Sequence, residues 1–342
     1  MIRVVRNSYN WKVCHRIKAF SEWEGFLFHS GDNSMTMDVI IPVYKPGREL
    51  FELLDRLKDQ SVKPGKVILM NTGKEYLDAI SGNIDWNHQY PFVHIEHITK
   101  AEFDHGGTRH QSVQLSNADV FVMLTQDAMP ADEFLLERLT AHLSGKVAVA
   151  YGRQLAREDA ELPERISRQY NYPEKSCIKR LDHLSKYGIK TYFCSNVCAA
   201  YRRDLYEELG GFIRHTIFNE DMIYAAGAIQ KGYEIAYEAQ AKVIHSHNYS
   251  GMQQFHRNFD LAVSQAQHPE IFAKIKSESE GKKYVKRVTR ELIRQRHPFQ
   301  IPGFYTKCAF KYAGYLLGKN FQKLPKGFVI WASDNKDYWT RK

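Results

Sequence analysis

A chain of 342 residues with 43% hydrophobic side chains can bury a substantial core, which excludes a disordered protein and fits either one large domain or a domain with an appendage. It has no run of about eighteen apolar residues to span a bilayer, and its N-terminal "MIRVVRNSYNWKVCHRIKAF" lacks the continuous apolar segment of a signal peptide, so a cytoplasmic location is expected. The net charge of +9 calls for an anionic partner: nucleic acid, an anionic membrane surface or a phosphorylated substrate.

Residues 1–36 carry aromatics and bases without clear periodicity and end in the loop-like "HSGDNSM"; Met35 and Met37 read as alternative initiators. From there the pattern changes. "MDVIIPVY" is a strand broken at Pro42, "GRELFELLDRLKDQ" puts Leu50, Leu53, Leu54 and Leu57 on one helical face, and "KVILMNT" is a second strand. Strand, helix, strand is the unit of a parallel sheet with a right-handed crossover. "FVHIEHI" is a third strand, "GGTRHQSVQLS" a helix entered through two glycines, and "ADVFVMLT" a fourth strand ending near Asp127. "EFLLERLTAHL" is a helix returning the chain to the strand "VAVAYG", so 37–152 reads as a doubly wound nucleotide-binding half.

Beyond it, 153–190 is polar and helical or irregular, "FCSNVCAAY" and "AKVIHSHNYS" are expected strands, and "NEDMIYAAGAIQKG" is a helix with an acidic start. The chain is basic from about residue 270, with neither repeats nor low-complexity tracts. Cys14, Cys177, Cys194, Cys198 and Cys308 are odd in number and show no ligand spacing beyond the loose 194 and 198 pair, so reduced thiols are expected, with that pair in core packing.

Four stretches have residues suited to chemistry. Asp127 in "LTQDAMP" ends an apolar strand, where open α/β sheets bind ligands; it either opens a turn or gives a hard cation a carboxylate oxygen. Glu220 and Asp221 in "FNEDMIY" either favour the dipole of the helix they open or supply a base to an attacking hydroxyl. His245 and His247 in "VIHSHN" alternate on an expected strand and so share a face, which suits a metal or phosphate contact. In "EFDHGGTRHQS" the glycines let backbone amides approach a phosphate that Arg109 can grip, and the spacing matches neither a Rossmann fingerprint nor a P-loop.

Taken in order, "VIIPVYKPG", "FDHGGTRHQS", "LTQDAMP", "YGRQL", "FCSNVCAAYRRDLYEELGGF", "NEDM" and "HSHNYSG" resemble the inverting glycosyltransferases of family 2 with a GT-A fold, and more narrowly the bacterial rhamnosyltransferases of O-antigen or cell-wall polysaccharide synthesis. The likeness spans roughly 37–265 and, more loosely, "YAGYLLGKNFQKLP". It implies an α/β fold with a doubly wound, mixed and mainly parallel sheet flanked by helices. Within that fold, 37–152 would bind the nucleotide sugar, 153–268 would form the acceptor-binding, catalytic half, and 269–342 would be a basic helical extension. It also implies a dTDP-L-rhamnose donor, Mg2+ or Mn2+ on its diphosphate, and a single in-line displacement.

By residue, Asp127 matches the metal-binding acid, Asp221 the catalytic base with Glu220 before it, and His247 or His245 the late histidine at the metal or diphosphate. Pro42, Val43 and Tyr44 match the loop holding base and ribose, Arg109 the arginine of the helix-opening motif, and Asp104 lies in the "FDHGG" element. Two departures stand out. Thr125 and Gln126 replace the first acid and spacer of the family's DxD, a change that tunes metal affinity or sugar recognition, and Asn71 replaces a frequent Asp while keeping an acceptor and adding a donor for a pyrimidine edge.

The tail segments "KKYVKRVTRELIRQRHPF" and "FYTKCAFKYAGYLLGKNF" interleave bases with aromatics and Leu. They read as a solvated helical face with a packing arm, or as an amphipathic surface for the anionic cytoplasmic leaflet, which fits a lipid-linked acceptor. No recognisable nucleic-acid module is present, so nucleic acid is not expected as partner. Other readings are a family member using another nucleotide sugar, and a non-catalytic sugar-nucleotide binding protein.

Overall fold

The expected strands that read as unbroken apolar runs are covered on both faces. A computed structural model describes residues 35–273 and 278–340, so Cys14 and most of the segment read above as an N-terminal extension lie outside the described residues. β1 (Met37–Tyr44), β2 (Val67–Thr72), β3 (Val93–Ile98) and β4 (Val120–Leu124) lie in the order β3-β2-β1-β4, all parallel. Every residue of β2 and β4 is buried. The intervening helices are α1 (Glu49–Lys58), α2 (Lys74–Ser81), α3 (Trp86–Gln89) and α4 (His105–Val113). Leu50, Leu53, Leu54 and Leu57 of α1 are fully buried, as their spacing predicts.

The second half makes the sheet mixed, as the resemblance implies, with a strand order that the sequence pattern did not specify. β5 (Met129–Pro130), α5 (Leu135–Thr140) and β6 (Val147–Leu155) follow, yet β6 does not join β4. β8 (Cys198–Arg202) inserts between them, antiparallel to both, while β9 (Glu234–Ile244) runs parallel to β6 and takes β5 and β7 (Cys177–Lys179) antiparallel. The strand expected over "FCSNVCAAY" therefore starts only at Cys198; just before it, the Ser195 side chain and the Asn196 backbone N–H are hydrogen-bonded elsewhere, as described below. Burial pushes the thiols of Cys194 and Cys198 up to about 12, which fits their packing role. The other helices to this point are α6 (Leu162–Asn171), α7 (Leu184–Tyr187), α8 (Arg203–Glu208) and α9 (Glu220–Gln230).

The C-terminal helices are α10 (Gly251–Gln267), α11 (Pro269–Phe272), α12 (Glu278–Arg294), α13 (Ile301–Lys319) and α14 (Lys326–Ala332). α10 starts with a reciprocal capping box between Ser250 and Gln253. α13 lies along it at backbone distance: Gly251 faces the Phe310 ring, Gly314 the Phe255 carbonyl and Gly318 the Phe259 carbonyl. These pairs keep one offset, so the two helices run parallel. A Cβ at Gly314 would sit 2.2 Å from the Phe255 oxygen, so only glycine allows this approach. α12 packs Val288 and Leu292 with Ile166 of α6 and Phe304 of α13. Phe255 and Phe259 join Ile217, Val329, Ala332 and Tyr338 in a further cluster, which seats the C-terminus beside the segment leading into α9. Among the described residues no helix is long and apolar enough to cross a membrane.

Candidate active site

β4 ends at Leu124, and the turn after it closes with Ala128 N–H donating to Thr125 O at 3.0 Å. Gln126 is held in the scaffold: its Oε1 accepts from Tyr44 N at 2.9 Å and its Nε2 donates to Tyr44 O at 3.1 Å, clamping the ends of β4 and β1 together. Asp127 then projects toward the end of β9. His245 and His247 were expected on a strand, but β9 stops at Ile244. Strand-like alternation continues regardless, because His245 N–H still donates to Leu155 O at 2.8 Å. The two imidazoles therefore converge. His247 Nε2 lies 3.0 Å and His245 Nε2 3.5 Å from Asp127 Oδ2, and the two nitrogens are 3.1 Å apart. Partial burial would raise the pKa of Asp127, but hydrogen bonds with both histidines outweigh it and hold the carboxyl well below the usual range.

The tautomer of His245 follows from its neighbours. Arg168 donates to Gln154 Oε1, and a guanidinium is only a donor, so this end of the amide must be the oxygen. The same Oε1 lies 3.0 Å from His245 Nδ1, which must then carry the proton. When neutral, His245 thus leaves Nε2 as a bare lone pair for a metal ion; when the ring is protonated, the same nitrogen donates to Asp127. Burial favours that neutral form by lowering the His245 pKa, against the pull of Asp127. One carboxylate oxygen and two imidazole nitrogens within 4.8 Å of one another fit a divalent first-row ion, with Asp127, His245 and His247 as its ligands and Gln154 fixing one of them.

The acidic pair sits at the start of α9. Asn219 holds a left-handed conformation (φ 65°, ψ 20°) that turns the chain into the helix. Glu220 is buried and points at Arg109 Nε, 3.2 Å away, and accepts from Asn196 Nδ2 at 3.1 Å. Burial would raise its pKa; the Arg109 charge and the Asn196 bond more than offset this and keep Glu220 ionised. Asp221 accepts from Asn196 N at 2.9 Å and from its own helix's Met222 N at 2.7 Å, so it serves the helix start as well. Desolvation and then the Glu220 charge push it up to about 7, against those two hydrogen bonds. The two sites share supports: Gln154 Nε2 donates to Ser195 Oγ at 3.0 Å, and the next residue, Asn196, holds Asp221.

The residues expected to hold the nucleotide divide. Tyr44 is exposed at the end of β1, edge-on to Tyr76 at 5.7 Å, with Lys45 Nζ about 5 Å above both rings. Asn71 is buried; its Nδ2 donates to Gly73 O at 3.2 Å and meets His97 Nδ1 at 2.9 Å, while its Oδ1 has no partner, an unmet acceptor suited to a base N–H. Pro42 stays in the ladder opposite Met70, and Val43 is core. Asp104 and Arg109 turn inward. Asp104 caps α4 through Gly106 N and Gly107 N and meets His215 Nδ1 at 2.9 Å; Arg109 donates to His105 O at 2.9 Å besides facing Glu220. Both are engaged inside the fold rather than turned to a phosphate, because an Asp before two glycines is a helix cap and a buried Glu220 needs a counter-charge.

Residues 38–210 match the family model of glycosyl transferase family 2. The chain belongs to glycosyltransferase family 2. This family 2 glycosyltransferase is 38% identical over 309 residues to the O-antigen chain rhamnosyltransferase RfbN of Salmonella typhimurium, covering 89% of this chain and 96% of that one. It is 37% identical over 306 residues to the O-antigen chain rhamnosyltransferase WbaN of Salmonella anatum, covering 88% and 95%. Its fold is that of the mannosyltransferase PcManGT from Pyrobaculum calidifontis, solved in complex with GDP-Man and Mn2+, with a TM-score of 0.53 at 14% identity over 91% of this chain and 86% of that one. The GT-A architecture expected from the motifs is therefore present.

Several site residues of this glycosyltransferase carried no sequence-level role. Gln154 lies in the "YGRQL" stretch, yet its bond to His245 spans ninety-one positions. Lys45 and Asn196 lie in stretches that carry the resemblance but had no role assigned there, while Arg168 and Tyr76 belong to no recognisable spacing and only the fold brings them to the site.

Proposed function

We propose that this glycosyltransferase moves L-rhamnose from dTDP-L-rhamnose onto a lipid-linked O-antigen chain, inverting the anomeric carbon. The observation that carries this reading is the meeting of Asp127, His245 and His247 just past the ends of β4 and β9, with Asp221 held through the Ser195–Asn196 segment that Gln154 touches. The names of its Salmonella relatives support the sugar and the pathway.

In this reading 37–152 binds the nucleotide and 153–268 presents the acceptor. A divalent ion on Asp127, His245 and His247 would neutralise the diphosphate as it leaves. Two imidazole nitrogens favour Mn2+ over Mg2+, which prefers an all-oxygen shell. Asp221 takes the proton of the acceptor hydroxyl while that oxygen bonds to the anomeric carbon and the carbon–phosphate oxygen bond breaks on the opposite side. Glu220 stays ionised against Arg109 and keeps Asp221 basic by its charge. Tyr44 and Asn71 receive the base.

The test is transfer and hydrolysis with a panel of nucleotide sugars, with Mn2+, with Mg2+ and with neither, on the wild type and Asp221→Asn. Metal-dependent use of dTDP-rhamnose that disappears in Asp221→Asn is expected. Use of another donor would overturn the sugar assignment. Full activity without metal, or in Asp221→Asn, would overturn the roles of these residues.

A further inference from the structure

α13 is apolar on both sides. Its inner face packs on α10 through Gly314 and Gly318, and no Asp or Glu occurs anywhere in "IPGFYTKCAFKYAGYLLGK". Its outer face is open to solvent. Tyr305, Ala309, Tyr312 and Leu316 recur at helical spacing and are all exposed, with Tyr305 at 47% and Tyr312 at 55%. Scattered apolar residues on a surface are ordinary, but a continuous stripe on a helix that already buries its other side is not.

The neighbouring surface is cationic. On α12, Lys282, Lys286 and Arg290 follow at four-residue intervals, Arg287 and Arg294 flank them, and all are exposed. Glu291 is bonded to Arg294. The row and the stripe adjoin: the hydroxyl of Thr289, next to Arg290, donates to Val285 O at 2.8 Å and accepts from Tyr305 OH at 3.2 Å. Where α12 turns toward α13, Ile293 and Phe299 stand out at 58% and 72% exposure. Lysines and arginines beside Tyr, Phe, Leu and Ile are what an interfacial surface needs, the cations meeting lipid phosphates and the apolar side chains entering the headgroup boundary.

We propose that the α12–α13 face is the docking surface of this enzyme for a bilayer rich in anionic phospholipid. A second copy of the chain is the poorer occupant, because a two-fold contact through this face would set one cationic row against another with no acids on α13 to answer it. The proposal does not depend on which sugar is transferred.

Flotation of the full chain tests it, with phosphatidylcholine vesicles made with and without phosphatidylglycerol, in low and in high salt. The wild type is expected to float only with the anionic vesicles and to be released by salt. The Lys286→Ser/Arg290→Ser protein should lose roughly fivefold in partitioning for each cation removed. Phe299→Ser and Tyr312→Ser should bind more weakly at every salt concentration. All four positions are exposed, and an unchanged melting midpoint serves as the folding control; should the double variant unfold early, Tyr312→Ser alone decides. No flotation of the wild type, flotation indifferent to phosphatidylglycerol, binding unchanged in these variants, or a stable dimer in solution that Tyr312→Ser dissociates would each overturn the proposal.

Discussion

Arg109 and Glu220 pair at 3.2 Å with side chains only 10% and 6% exposed, and this contact sets the charge beside Asp221. The ionised Glu220 is one of the two forces that raise the neighbouring carboxyl, the other being desolvation. Arg109 therefore acts on Asp221 through Glu220. Removing one partner of a buried ion pair strands the other, so Arg109→Met should destabilise the protein by about 3–5 kcal/mol in chemical denaturation. Arg109→Met combined with Glu220→Gln should recover much of that loss. A double variant as unstable as the single one would mean that packing of the arginine stem, not its charge, is what matters.

Asp221, pushed up to about 7, should make transfer rate rise with pH through that region, since only its ionised form accepts a proton. Stability moves the opposite way. The folded pKa lies above the unfolded value of about 3.9, so the folded state gains from holding this proton at acid pH and loses that gain as pH climbs to about 7. Asp221→Asn removes the dependence. At pH 8 the variant should be more stable than the wild type, on the order of 4 kcal/mol, with the difference vanishing near pH 4. Parallel denaturation curves for both proteins at each pH give the answer, and a constant gap would refute the assignment.

Much of the fold was legible because its signals are local. The apolar runs of β1, β2 and β4 and the leucine spacing of α1 each report their own burial. Asp127, His245 and His247 could be nominated for the same reason, each lying at the end of a readable strand. The insertion of β8 between β4 and β6 could not be read, since strand order depends on contacts made long after each strand is specified. Arg109 illustrates the limit at the level of one side chain. Its place after two glycines suggests phosphate, and only the fold brings up Glu220, more than a hundred positions later, to claim it. Asp104 was readable in principle as the cap of its own helix.

Gln154 and Arg168 should matter for metal binding without touching the metal. Gln154→Leu removes the acceptor that holds the His245 proton on Nδ1, freeing the ring to place N–H where a lone pair is needed. Such outer contacts are worth about 10- to 100-fold in metal affinity. Titration of Mn2+ followed by its free electron-spin signal, with no substrate present, should show a loss of that size. Arg168→Met, which leaves Gln154 free to flip, should show a smaller one. Affinity unchanged in both would mean that the tautomer is set otherwise.

The packing of α13 on α10 gives the last prediction. An added methyl at Gly314 would meet the Phe255 carbonyl at 2.2 Å, so Gly314→Ala must push two helices apart and should cost about 1–3 kcal/mol. Gly303 lies in the same helix with nothing near its Cβ position, and Gly303→Ala should be neutral or stabilising by up to about 1 kcal/mol through helix propensity. The contrast separates close approach from any general intolerance of substitution. Because α10 shares a cluster with Ile217, two residues before Asn219, the Gly314 variant should also loosen the approach to Asp221. Amide exchange should therefore quicken at 217–222 in Gly314→Ala and not in Gly303→Ala; equal exchange in the two variants would show that the C-terminal helices do not brace the catalytic segment.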